Sequence, residues 1–177
     1  QPGLPVALMT AYASDQIIRQ GLENGVVGVF DKPLDITHLL GFFASLAHNR
    51  VVAIVDDDPV FCRTLGDILH QRGFGVKKIT DPHTEAELMA SGSQVILLDM
   101  KLNGISVLDV LKVIRARYPS LPVLLVTGYR QEMAETIQAA QEIGAFACLY
   151  KPLEIPTLLE KLAQIQLERL RGALGRK

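Results

Sequence analysis

What the sequence lacks narrows the field first. Cysteine is scarce: 2 in 177 residues, Cys62 and Cys148, each alone in an apolar stretch. No CxxC spacing and no histidine cluster accompanies them, so neither a zinc site nor a disulfide framework is suggested. A reducing, cytoplasmic setting is the default expectation. Neither sign of charge is in excess, and a net charge of −1 gives no electrostatic argument for nucleic acid or an acidic surface. No apolar run approaches the length of about 20 residues needed to span a bilayer. The first residues, Gln1-Pro2-Gly3, show neither Met nor a basic-then-apolar signal pattern, and read as a cut. The histidines His38, His48, His70 and His83 share no spacing and read as surface or helix residues. The cations of the tail at 169–177 suit a solvated helix C-terminus.

What is there is apolar residue, 49% of the chain, enough to bury a real core. There is also a repeat. LPVALMTAY at 4–12 returns as LPVLLVTGY at 121–129, and FDKPLDITHLL at 30–40 returns as LYKPLEIPTLL at 149–159. The offsets, 117 and 119 positions, are a domain length and not a solenoid period. The chain therefore reads as parts of two homologous units. The second runs from about Val51 to the C-terminus; the first, residues 1–48, holds only a last part.

The second unit alternates. VVAIVD (51–56), GVKKIT (75–80), QVILLD (94–99), LPVLLVT (121–127) and AFACLY (145–150) read as strands. Three of these carry no polar alternation, as expected of strands covered on both faces. Between and after them, helical spacing predicts helices over 59–73, 83–92, 105–118, 131–144 and 154–172. Five β-α pairs in strict order argue for a parallel sheet with helices on both faces.

Such sheets bind ligands at the carboxyl ends of their strands. There the first strand ends in Asp56-Asp57-Asp58, the third in Asp99, the fourth in Thr127 and the fifth in Lys151-Pro152. Each has an ordinary explanation alone. Asp58 before Pro59 is a favoured helix cap. Asp99 before Asn103-Gly104 suits a turn, Thr127 suits a cap, and Lys151 suits a solvated surface. One Asp suffices for a cap, however, and four strand ends carry complementary groups on one rim. Carboxylates converging without His or Cys favour a hard cation held through oxygen, which suggests Mg²⁺. A carboxylate beside it can attack phosphorus and form an aspartyl phosphate. A lysine and a hydroxyl then suit the remaining phosphoryl oxygens.

VVAIVDDDP, VILLDMKLNG, VLLVTGY and LYKP together resemble the receiver domain of two-component response regulators. The resemblance covers the whole second unit. It implies a doubly wound, flavodoxin-like five-stranded sheet of order 2-1-3-4-5. It implies Asp99 as phosphoacceptor, with Mg²⁺ on Asp56, Asp57, Asp99 and the backbone carbonyl of Lys101. It implies that Thr127 and Lys151 bind phosphoryl oxygens, and that the Lys151–Pro152 bond is cis. Lys101 and Tyr129 stand where the family tunes the loss of phosphate. The implied partner is a histidine kinase or histidine phosphotransfer protein docking near the first helix. Such a module phosphorylates itself and is not an enzyme toward other substrates. Departures are Asn103 for a usual Pro, Val107 for a frequent Gly, and Cys148 for the aromatic three residues before the lysine.

The first unit resembles the fourth strand to fifth helix of another receiver, a partial β-α-β-α segment with Thr10 and Lys32-Pro33 in the motif positions. Its acids are absent from this chain, so phosphorylation of this half is not expected. Its fourth strand is expected to expose an apolar edge, so that the segment is poorly stable, docks on the second unit or drives self-association. The junction at His48-Asn49-Arg50 is too short for a flexible tether. The parent protein is expected to be a tandem-receiver regulator or the end of a hybrid histidine kinase. A phosphorylation-independent scaffold is the alternative. A phosphatase with an aspartyl nucleophile would need a second Asp where Lys101 stands.

Overall fold

The computed structural model describes residues 6–12, 14–37, 39–40, 50–80, 92–129 and 131–173. In chain order the elements are β1 (Val6–Thr10), α1 (Asp15–Glu23), β2 (Val26–Asp31), β3 (Val51–Val55), α2 (Pro59–His70), β4 (Gly75–Ile79), β5 (Val95–Asp99), α3 (Val107–Arg117), β6 (Val123–Thr127), α4 (Ala134–Ile143), β7 (Ala147–Tyr150) and α5 (Ile155–Ala173). The helix expected over 83–92 falls almost wholly on residues 81–91, outside the described ones. The chain divides into two compact units, Asn49–Leu158 and Gln1–His48 with Leu159–Lys177.

The larger unit is a five-stranded sheet in the order β4-β3-β5-β6-β7, with every pairing parallel. Counted from its own first strand this is the expected order 2-1-3-4-5. The apolar strands lie where the sequence asks. All five residues of β5 and all five of β6 are buried, because each has a strand on both sides and helices over both faces. Edge strand β4 is more exposed, with Lys77 partly buried, Lys78 exposed and Ile79 buried. One core cluster packs Ile96, Leu98, Val123 and Leu125 of the sheet against Leu111 and Ile114 of α3 and Ala140 of α4. Burying a Leu or Ile of this kind is worth about 2–3 kcal/mol each.

Helix boundaries follow their caps. Asp58 accepts from the amides of Val60 at 2.8 Å and Phe61 at 3.2 Å, with Pro59 in the first turn. Ser106 caps α3. Gly144 ends α4 at φ +110°, a left-handed conformation that glycine adopts without penalty. At β7, Cys148 and Tyr150 pack against the core cluster and Leu149 is buried apart from it, the expected alternation. Cys148 thus fills the position where the resemblance expects an aromatic.

The smaller unit is built on β1 and β2, paired in parallel with α1 between them in sequence. Val27 and Phe30 form a buried apolar cluster there, with Ala7, Leu34, Leu39 and Leu167 packed against them. Asp35 starts a further helical turn by accepting from the Thr37 amide at 2.9 Å. The rest of the final helix expected of this segment, over 41–48, and the junction before Arg50 lie outside the described residues.

Candidate functional site

The site assembles at the carboxyl rim of the larger sheet. Asp56 directly follows β3, Asp99 ends β5, Thr127 ends β6 and Lys151 directly follows β7. Parallel strands in register deliver all four to one end, and ladder bonds hold them there. The Asp56 amide donates to Ile79 O at 3.2 Å, Met100 to Val126 O at 2.8 Å, and Lys151 to Thr127 O at 2.7 Å.

The three Asp residues of the DDD run divide their work. Asp58 caps α2 and leaves the other two for the rim. Asp56 is 2% exposed, and its Oδ1 accepts from the Asp58 amide at 2.9 Å. Its Oδ2 accepts from the Lys151 ammonium at 2.6 Å. The same ammonium donates to Asp99 Oδ1 at 2.8 Å, and Asp99 Oδ2 accepts from the Lys101 amide at 2.7 Å. Carboxylate oxygens of Asp56, Asp57 and Asp99 lie within 4.8 Å of one another. An open pocket of about 460 Å³ lies over them, bounded also by Lys101, Tyr129 and Lys151.

Burial drives the Asp56 carboxyl above its ordinary range; the Lys151 and Asp58 hydrogen bonds pull it back only in part, and Asp99 adds to the rise. Burial alone would lower Lys151, but its hydrogen bonds to Asp56 and Asp99 outweigh this and hold the ammonium charged. The Cys62 thiol, buried beside Asp56 and Asp58, is pushed up to about 11 and is a poor nucleophile.

Three carboxylates cluster where one ammonium bridges two of them. All donors are oxygen, with no His or Cys among the cluster. That set fits a hard divalent cation. Thr127 is placed differently from the other expected residues. It is 1% exposed and does not line the pocket; its hydroxyl accepts from the Tyr129 amide at 3.1 Å.

Two contacts escaped the sequence reading. The Lys101 ammonium lies 4.3 Å from the Tyr129 ring centroid, and the Lys151 ammonium lies 4.1 Å from that of Phe61. Phe61 counted only as one apolar position of a helix. Its place in the first turn after a rim residue, three past Asp58, was the available signal.

A five-stranded doubly wound sheet with clustered acids and a lysine at its carboxyl rim defines a class of phosphoacceptor α/β domain. The family model of the response regulator receiver domain matches residues 52–163, and the chain belongs to that family. A response regulator receiver protein of Anaeromyxobacter sp. (strain Fw109-5) is 26% identical over 168 residues, 95% of this chain and 67% of that protein. The sensory transduction protein RegX3 of Mycobacterium tuberculosis (strain ATCC 25618 / H37Rv) is 33% identical over 115 residues, 64% of this chain. The chain spans about half of RegX3, 49% of its length. Among solved structures, the receiver domain of the TMAO respiratory system response regulator TorR aligns with a TM-score of 0.60 at 27% identity. It covers 68% of this chain and 98% of that one. The chain is accordingly a phosphoacceptor receiver module of two-component signalling. Among the described residues no helix is long and apolar enough to cross a membrane.

Proposed function

We propose that Asp99 is the phosphoacceptor, taking a phosphoryl group from the phosphohistidine of a histidine kinase or phosphotransfer protein. An Asp99 oxygen attacks phosphorus, the P–N bond breaks, and the imidazole nitrogen keeps the electron pair and takes up a proton. The product is an aspartyl phosphate. Mg²⁺, held by Asp56, Asp57, Asp99 and the Lys101 carbonyl, supplies charge neutralisation for the phosphoryl oxygens. Lys151 leaves its carboxylate pairing to bind one phosphoryl oxygen; the Thr127 hydroxyl, buried and accepting from the Tyr129 amide here, must turn out toward the pocket to bind another. The module phosphorylates itself and turns over no other substrate. A reducing, cytoplasmic setting suits its two free thiols.

The observation that carries this reading is the Lys151 ammonium bridging Asp56 and Asp99 at 2.6 and 2.8 Å beside a third carboxylate. The test is incubation with Mg²⁺ and a small phosphodonor. The wild type should gain one acid-stable, base-labile phosphate and Asp99→Asn none. Equal uptake by both would remove Asp99 from the role; uptake by neither would leave the scaffold alternative.

We also propose that residues 1–48 are the last part of a second receiver and residues 51–177 a complete one. The support is geometric. Thr10 pairs with Asp31 as Thr127 pairs with Tyr150, each just before a lysine. Lys32 donates its amide to Thr10 O at 2.8 Å, matching Lys151 to Thr127 O at 2.7 Å. Tyr12 donates its amide to Thr10 Oγ1 at 3.0 Å, matching Tyr129 to Thr127 Oγ1 at 3.1 Å. Lys32–Pro33 and Lys151–Pro152 are both cis. The parent protein is then a tandem-receiver regulator or a hybrid kinase. The β1 edge is the surface through which copies associate; light scattering showing a monomer at all concentrations would overturn that.

A further inference from the structure

The DDDPVF segment does more than present acids and a helix cap. Its contacts close a ring. Asp56 Oδ1 accepts from the Asp58 amide at 2.9 Å, and Asp58 Oδ1 accepts from the Phe61 amide at 3.2 Å. The Phe61 ring lies under the Lys151 ammonium at 4.1 Å, and that ammonium returns to Asp56 Oδ2 at 2.6 Å. The cap therefore fixes the backbone from which Phe61 projects. That backbone is tied to the same carboxylate that Lys151 holds.

We propose that Phe61 is a positioning residue for Lys151. The inference rests on Lys151 binding the phosphoryl group. An ammonium has three N–H groups, and two of them go to Asp56 and Asp99. Both acceptors change when the site works. Asp56 is in the cluster that would hold a cation, and Asp99 becomes an acyl phosphate. With both claimed, a flexible four-carbon side chain 28% exposed would disperse into solvent. The face of Phe61 holds the charge through its quadrupole and offers no lone pair that competes with an incoming phosphoryl oxygen. The ring thus keeps the ammonium at the rim through the exchange from carboxylate to phosphoryl partner. It acts on the reaction only through Lys151.

The experiment measures the rate of phosphoryl uptake from acetyl phosphate with saturating Mg²⁺, so that no docking protein intervenes. Phe61→Leu, which keeps apolar bulk without a π face, should slow uptake about fivefold, and Phe61→Tyr should restore it. Mono-, di- and trifluorophenylalanine at position 61 keep the shape while draining the ring face, and should lower the rate stepwise. In a Lys151→Met background Phe61→Leu should cause no further loss. A flat fluorine series, or the same loss in both backgrounds, would overturn the proposal. If Phe61→Leu does not fold, the fluorine series decides alone. If Lys151→Met itself leaves uptake unchanged, the assigned role of Lys151 fails and this inference with it. A slow Lys151→Met beside an indifferent Phe61 series sinks the inference alone.

Discussion

β1 and β6 carry almost the same words, VALMT and VLLVT, and meet opposite fates. Every residue of β6 is buried; in β1 Val6 is 48% and Met9 50% exposed. Both strands end in a threonine whose hydroxyl caps the amide of a tyrosine two residues on, and both pair in parallel with a strand leading to Lys-Pro. The difference is the other neighbour. β6 lies between β5 and β7, whereas among the described residues β1 pairs with β2 alone. The lesson is that apolar patterning specifies a strand meant for an interior, and only pairing makes it one. The same holds for chemistry. Lys151 meets two carboxylates brought by neighbouring strands, while Lys32 is exposed.

The comparison is broken most directly at the two lysines. Lys151→Met should slow phosphoryl uptake by about 100-fold or more, the scale of losing one preorganised charge at a reacting group. Lys32→Met should leave it unchanged. Comparable losses in both would mean that the first rim contributes to the reaction. The next largest contrast is in packing. Leu125 is fully buried, so Leu125→Ala should cost about 2–5 kcal/mol in urea unfolding. Its counterpart Leu8 is only partly buried, and Leu8→Ala should cost about 1 kcal/mol or less. Native-state hydrogen exchange should rank the β6 amides far above those of β1; equal protection would show that β1 has found a covering strand. Third, Mg²⁺ at about 100 times its dissociation constant should stabilise the larger unit by about 2.7 kcal/mol. The gain should vanish in Asp57→Asn, and exchange in β1 and β2 should not respond.

Much of this was legible in the sequence because the information was local. The parallel sheet followed from β-α alternation, and its strand order from the resemblance that the motifs carry. The rim followed from Asp56, Asp57, Asp99 and Lys151 standing at strand ends. Asp58 could be assigned to the cap because one acid suffices there, and the cap is what the structure shows. What stayed hidden depends on side-chain direction across elements. The Phe61 ring under Lys151 joins residues ninety positions apart in sequence, and no periodicity announces it. Thr127 read as a rim residue and does end its strand there, but it is buried, and Gly128 and Tyr129 line the pocket while it does not. Register gives the strand end but not which side chain faces the solvent.

The smallest predicted effect is the pH dependence of the metal-free protein, and its sign is fixed by Asp56. An unfolded Asp ionises near ~3.9. In the folded rim burial raises that value, with the Lys151 and Asp58 hydrogen bonds opposing. The folded state therefore holds the proton to higher pH than the unfolded state does. Its ionised carboxylate penalises the fold at neutral pH, and the penalty fades as pH falls through the raised value. Lys151 is raised as well, so its contribution is complete below about 10.4 and is lost only as pH climbs through its folded value; it does not confuse an acid titration. Asp56→Asn should raise the urea midpoint of the metal-free protein at pH 7. The gap to wild type should close as pH falls through the raised value, where wild-type Asp56 itself takes up a proton. A gap that stays constant from pH 7 to 4 would mean that the gain came from packing and not from charge. Adding Mg²⁺ at pH 7 should reverse the order, because the substitution removes a cation ligand along with the penalty. An acid whose burial penalises the metal-free fold is then also one that a cation would need, so stability and function pull apart at this rim.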